Sequence, residues 1–218
     1  MPSVSSNQKK ATPAKTIRRP PQQERSERTL AAILDVASSL FAEAGFEATT
    51  MTAIAARSGT SIGGLYHYFP DKTSIVLALA YQFGLAIEAE WKPLIAQAPG
   101  LTPRKFADIF IETMLRLVSQ HPAYLALQTA TVRPRRDPAS RRALRLAIAN
   151  AFRAKNSALT EERALLSANV VVQTVTGMTR LFAECAPQDQ PIIVADYKLI
   201  LTAYLTNILR SQTATSRR

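Results

Sequence analysis

The stretch from Thr49 to Lys72, TTMTAIAARSGTSIGGLYHYFPDK, decides the fold. Met51, Ile54 and Ala55 recur at i, i+3 and i+4, so they share one face of a short helix that Thr50 caps. Ser58-Gly59-Thr60 interrupts that helix, with Gly59 where a left-handed residue turns the chain. A second helix starts near Ser61, carries Ile62, Leu65 and Tyr66, and is stopped by Pro70. Two helices this short cannot bury enough surface alone and must pack on a neighbour. Joined by a three-residue turn, they form the helix-turn-helix pattern, whose second helix enters the DNA major groove.

In register with that pattern stand Gly45-Phe46, Thr49-Thr50, Ile54-Ala55, Ser58-Gly59 and above all Leu65-Tyr66-His67-Tyr68-Phe69-Pro70-Asp71-Lys72. Together they resemble the DNA-binding domain of TetR-type repressors over residues 25 to 80. The resemblance implies three N-terminal helices for DNA, then a larger helical ligand-binding and dimerisation domain. The fold class expected is therefore all-α, with about nine helices in total. The sequence departs from the family's commonest form at Ile62, where a polar or basic residue is frequent, and at Gly64, where a small hydroxyl or Ala is usual.

Composition agrees with a helical chain. The 218 residues are 47% hydrophobic with only seven Gly, which favours helices around a substantial core. One cysteine, Cys185, excludes an intramolecular disulfide framework and suits a reducing compartment. As a small residue near the end of a helix, Cys185 is expected to be buried. No uninterrupted apolar run approaches the roughly 20 residues that span a bilayer, and no apolar segment follows the basic N-terminus as a secretory signal requires. The expectation is a soluble, cytoplasmic protein with no membrane partner, no metal and no cofactor.

The net charge of +11 suggests a polyanionic partner, but its distribution matters. Residues 1–92 hold ten Lys/Arg against eight Asp/Glu, and residues 93–218 hold seventeen against eight, so most of the excess lies outside the helix-turn-helix. Residues 1–22 contain Lys9, Lys10, Lys15, Arg18 and Arg19, no acid and almost no apolar side chain, a composition that predicts disorder. This segment is either a basic arm that touches phosphates or a solvated tail.

From Gln23 to Ala44, Leu30, Ile33, Leu34, Ala37, Leu40 and Phe41 keep helical spacing, and Gly45 ends the helix. Phe41 and Phe46 read as core. With that helix, residues 23–72 make up the DNA-binding domain. A connecting helix runs from the N-cap Asp71 to Trp91, before Pro93, and is expected to couple the two halves. Residues 93–212 form the regulatory domain, with helices over Thr102 to Gln120, His121 to Val132, Asp137 to Ser157, Thr160 to Ala186 and Gln190 to Arg210.

In the DNA-binding domain, phosphates must fix register before bases can be read. The resemblance implies backbone contacts for Thr50, Tyr66 and Lys72. A cation at a helix N-terminus, as Lys72 is, opposes the helix dipole, and a phosphate contact explains it. Bases are left to Thr60, Ser61, Ile62, Gly63 and His67, with Ile62 suited to a thymine methyl. Gly63 and Gly64 weaken the helix, either to let the backbone approach the groove floor or, for Gly64, to avoid a clash. Tyr68 and Phe69 are expected beneath the helix.

In the regulatory domain Phe110, Met114, Tyr124, Gln128, Phe152, Gln173 and Met178, with Phe106 and Phe182, suit an apolar ligand pocket with sparse polar anchors, and equally describe a helical core. Arg133, Arg135, Arg136, Arg141, Arg142 and Arg145 form a cluster that attracts an acidic effector, extends the DNA footprint, or is a solvated face. The last two helices have broad apolar faces. Val170, Val171, Val172 and Val175 lie on one, and Leu199, Ile200, Leu201, Tyr204, Leu205 and Ile208 on the other. The resemblance implies a four-helix bundle across a two-fold axis, with Val171, Val175, Leu201, Tyr204, Leu205 and Ile208 at the interface.

With only His67 and His121, one Cys, no Gly-rich phosphate loop and no metal-ligand spacing, no catalytic residues are assigned. The function expected is a homodimeric repressor of a palindromic operator in double-stranded DNA, released by a small-molecule effector. A helical protein-binding adaptor and an activator without a ligand are the alternatives.

Overall fold

The computed structural model describes residues 21–129 and 138–210. The expectations for the N-terminal arm and for Arg133, Arg135 and Arg136 lie outside these residues. Nine α-helices are found among the described residues: α1 (Pro21–Ala48), α2 (Met51–Ser58), α3 (Ile62–Tyr68), α4 (Lys72–Gln97), α5 (Pro103–Gln120), α6 (Ala123–Thr129), α7 (Pro138–Lys155), α8 (Glu161–Glu184) and α9 (Gln190–Leu209). No strand occurs among them.

Most starts are set by side-chain caps that satisfy the first-turn N–H groups. Thr50 accepts from Ala53 N, Ser61 from Gly64 N, Thr102 from Lys105 N and Thr160 from Arg163 N. Asp71 and Ser74 form a reciprocal capping box at the head of α4. Gly59, at φ 67°, closes α2 in the left-handed conformation the turn needs. Gly45, at φ 79° and ψ 170°, breaks the helical geometry of α1, so the continuous helix ends just before it and residues 46–48 form a kinked extension.

Two apolar cores result. The first joins Ile33, Leu34, Ala37 and Phe41 of α1 to Phe46, Ile54, Ala55, Leu65, Phe69, Ile75 and Val76. The second is built from α4, α5, α7, α8 and α9. α4 contributes Ile75 and Val76 to the first and Phe83, Ile87, Trp91, Leu94 and Ile95 to the second, so one continuous helix runs through both. A further link was not visible in the sequence: Ala123 and Leu127 of α6 belong to the first core, although α6 follows α5 in the chain.

Two expectations are corrected. Pro93 does not end α4, which continues to Gln97. The ring removes the bond to Ala89 O at a cost of about 3 kcal/mol; burial of Trp91, Leu94 and Ile95 on either side holds the helix across the gap. Two helical stretches, Gln23–Ala48 and Pro187–Leu209, are long and apolar enough to cross a membrane by length and average composition, although neither is an uninterrupted apolar run. The averages conceal their polar positions. α9 carries Lys198, which pairs with Glu112 at 2.7 Å and Asp108 at 3.9 Å, and α1 supplies the first core. Cys185 is half-buried, not fully enclosed.

Candidate nucleic-acid interface and ligand cavity

α3 presents two opposite faces. Leu65 is wholly buried and Phe69 nearly so, while Tyr68 is half-buried with its hydroxyl 3.1 Å from Ser26 Oγ of α1. Ser61, Ile62, Gly63, Tyr66 and His67 lie on the outward face, with Ile62 43% and Tyr66 51% exposed. Thr60 is half-buried beside them. Water-exposed Ile and Tyr next to two glycines suit a surface that meets another apolar and polar surface, such as base edges and sugars. A Cβ on Gly63 meets nothing within 4 Å, so no packing within the protein requires this glycine. On Gly64 it falls 3.0 Å from Ser61 Oγ and 3.1 Å from Thr60 Cγ2, so Gly64 makes room for the cap.

The cap hydroxyls of Thr50 and Ser61 use their oxygens inside the protein and keep their protons. Each can therefore donate outward from an exposed helix start, the geometry that phosphate binding uses. α2 is held in place by Arg57, whose two terminal nitrogens meet the two oxygens of Glu43 at 2.7 and 2.8 Å. This hydrogen bond, with the charge behind it, lowers the Glu43 pKa and raises that of Arg57.

Lys72 has a role that the sequence did not show. Its ammonium donates to Phe46 O, Glu47 O and Thr49 O at 2.5, 3.2 and 2.7 Å, and sits 4.2 Å from the Phe46 ring centroid. All three protons have acceptors, so the phosphate contact is not needed to explain a cation at the head of α4. The ammonium closes the end of α1, where carbonyls lack helical partners. Buried Thr49 acts alongside it, its hydroxyl 2.8 Å from Gly45 O and 3.2 Å from Leu40 O.

In the other half, a cavity of about 490 Å³ opens between α4, α5, α6, α7 and α8 and reaches Ser38 of α1. Met114, Tyr124, Gln128 and Gln173 line it, as the sequence suggested. Phe110, Phe152 and Met178 do not: they are buried in the second core. There Phe110 stacks on Trp91 at 4.1 Å, and Phe106 stacks on Phe110 at 5.3 Å and meets Phe152 edge-on at 6.2 Å. Phe182 borders a separate shallow groove by α9. The remaining wall includes Leu79, Phe83, Ile87, Trp91 and Leu144, with His121, Arg141, Arg145 and Arg180 as the ionisable groups. Tyr124 stacks on Phe83 at 3.9 Å, and His121 stands edge-on to it at 5.2 Å. Burial pushes the His121 pKa down.

The apolar residues assigned to a dimer interface need correction. Val171, Val175, Leu201, Leu205 and Ile208 are buried inside the protomer, and Tyr204 is half-buried against the second core. α9 is apolar nearly all round and α8 has apolar residues on both inner and outer faces, so periodicity could not distinguish the two. The outer face carries Leu166, Val170 and Leu181 on α8 and Ile192, Leu199 and Ile200 on α9, between 42% and 68% exposed.

Residues 33–79 match the profile described as bacterial regulatory proteins, tetR family, and residues 102–205 match that of the tetracyclin repressor-like C-terminal domain. The chain belongs to the TetR family. This is a family of regulators, not of enzymes. Among curated TetR-family relatives, the HTH-type transcriptional repressor KstR of Rhodococcus jostii is 32% identical over 102 residues, 46% of this chain and 44% of that one. KstR2 of the same organism is 30% identical over 95 residues, 44% of this chain and 46% of that one. The match thus spans less than half the length of these relatives. The fold extends further. A TetR-family regulator from Pectobacterium atrosepticum, 19% identical, superposes over 87% of this chain and 98% of its own with a TM-score of 0.64.

What the TetR-family motif did not disclose are the cavity's arginines and His121, the Lys72 clasp and the docking of α6. Arg141 and Arg145 stood out as part of a basic run, and their spacing of one helical turn was the available signal that they share a face.

Proposed function

We propose that this chain is a homodimeric transcriptional repressor that binds a palindromic operator through α2 and α3 and is released by a small molecule in the cavity. The observation that carries the reading is the outward face of α3, exposed Ile62, Gly63, Tyr66 and His67 on a helix anchored by buried Leu65. Thr50 and Ser61 fix the register on phosphates through their free protons. Ile62 and the Gly63 backbone meet base edges. Tyr66 and His67 contact the strand beyond. Two copies joined through the outer faces of α8 and α9 place two such helices on successive major grooves. The working place of such a protein is the cytoplasm, with the DNA.

Release follows from where the cavity lies. Its wall includes Leu79 and Ala80 of α4 and Ala123 and Leu127 of α6, and the last two also pack in the DNA-binding core. A ligand that favours a shifted α4 and α6 tilts α3 off the groove. An affinity roughly a hundredfold higher for that conformer, about 2.7 kcal/mol, suffices. The test is an electrophoretic shift with the DNA upstream of its own gene over a salt series. Affinity falling steeply with salt and saturating at two protomers per site is expected. Absence of salt-dependent binding overturns the reading in favour of a protein-binding adaptor.

A further inference from the structure

We propose that the cavity takes an amphipathic anion, an apolar body ending in a carboxylate, with Arg141 and Arg145 of α7 as the counter-charge. This deepens the effector reading and rests on it. Phe83, Ile87, Trp91, Met114 and Leu144 are each less than a tenth exposed and form an apolar wall with two aromatic rings. Such a wall favours a hydrophobic body and excludes a small polar metabolite.

The charged groups in that wall, among the described residues, carry one sign. Among the described residues no Asp or Glu lines the cavity, whereas Arg141, Arg145 and Arg180 do. Arg180 has a partner, Glu184, at 3.3 Å. Arg141 and Arg145 have no carboxylate partner among the described residues. Among the described residues, Arg145 donates to Arg141 O, at 2.9 Å. Arg141 Nε is enclosed without a hydrogen-bond partner, and so is Trp91 Nε1, whose residue also lines the cavity. Burial, and then the charge of Arg141, push the Arg145 guanidinium below its ordinary pKa. Two half-buried cations one helical turn apart, with no acid beside them among the described residues, repel one another. A bound anion removes that repulsion and supplies acceptors to the orphaned donors. The planar guanidinium fork matches a carboxylate in two parallel bonds. A cationic ligand meets three arginines and is rejected.

The experiment measures thermal stabilisation and fluorescence-detected binding of the full chain with decanoate, dodecanoate and 2-naphthoate. Their methyl esters and alcohols serve as uncharged counterparts, and decyl phosphate as the other anionic head. At least one acid is expected to bind tenfold or more tightly than its ester, and better than the phosphate. Arg141→Met/Arg145→Met, checked for native circular dichroism, is expected to bring the acid-to-ester ratio near one, and Arg145→Lys to retain part of it. If the double variant does not fold, Arg145→Met alone is read, with a severalfold fall expected. Equal binding of acid and ester overturns the proposal, as does failure of every acid to bind, preference for the phosphate, or an unchanged ratio in the variants. Operator affinity is measured in parallel. An acid that binds through the arginines without loosening the operator keeps this assignment and defeats the release reading.

Discussion

Replacing Lys72 with Met separates two accounts of the same cation. The substitution keeps the aliphatic stem and deletes the ammonium that holds Phe46 O, Glu47 O and Thr49 O and lies over the Phe46 ring. Hydrogen bonds to a charged group are worth about 1.5–3 kcal/mol each when buried. Lys72 is half-buried, so water recovers much of that for the released carbonyls. The cation–π contact adds about 0.5–1 kcal/mol. A net loss of about 2–3 kcal/mol is expected, well above the ordinary surface substitution. In urea unfolding followed by circular dichroism without DNA, at fixed protein concentration, the midpoint should fall by roughly 1 M with little change in slope. Lys72→Arg should recover part of it. An unchanged midpoint together with weakened DNA binding refutes the reasoning, because the ammonium would then serve phosphate and not the end of α1.

Three other outcomes are expected. Gly63→Ala should raise stability by about 1 kcal/mol, since its Cβ meets open space on a helix, yet weaken operator binding if the backbone lies against the groove floor; equal binding in a gel shift removes Gly63 from the interface. Leu199→Asp/Ile200→Asp, at outward positions 68% and 53% exposed, should turn a dimer into a monomer in analytical ultracentrifugation with helicity retained, whereas Leu201→Ala should instead cost about 2–5 kcal/mol of protomer stability. His121, its pKa depressed by burial, binds its proton more readily when unfolded. Stability is therefore complete above the unfolded value of 6.5 and declines as pH falls from there toward the folded value, and His121→Gln should flatten that part of the pH–stability curve in thermal melts.

The DNA-binding half was legible because its signals are local. Caps at Thr50 and Asp71, the left-handed Gly59 and the three-residue turn act within a few residues of where they are written. The regulatory half was legible as helices but not as surfaces. Val171 and Val170 are adjacent and chemically alike, yet one is fully buried and the other 44% exposed. Only the neighbours of α8, supplied by distant parts of the chain, decide which points inward. The same holds for the cavity. Phe110 and Met114 lie one turn apart on α5 and both are buried, yet Phe110 stacks on Trp91 away from the cavity while Met114 lines it. The Lys72 clasp was invisible for a related reason: its acceptors lie more than twenty residues earlier and become neighbours only when α1 and α4 cross.

The seating of α6 makes the halves of this chain interdependent as a material matter. Ala123 and Leu127 plug the interior of the DNA-binding head from outside its contiguous sequence. A head cut after Gln97 would therefore be an unfinished object, with wet apolar surface where α6 had lain and a correspondingly lower melting point. Transplanting the head onto another regulator's body would succeed only if the new body brought its own stopper of matching shape.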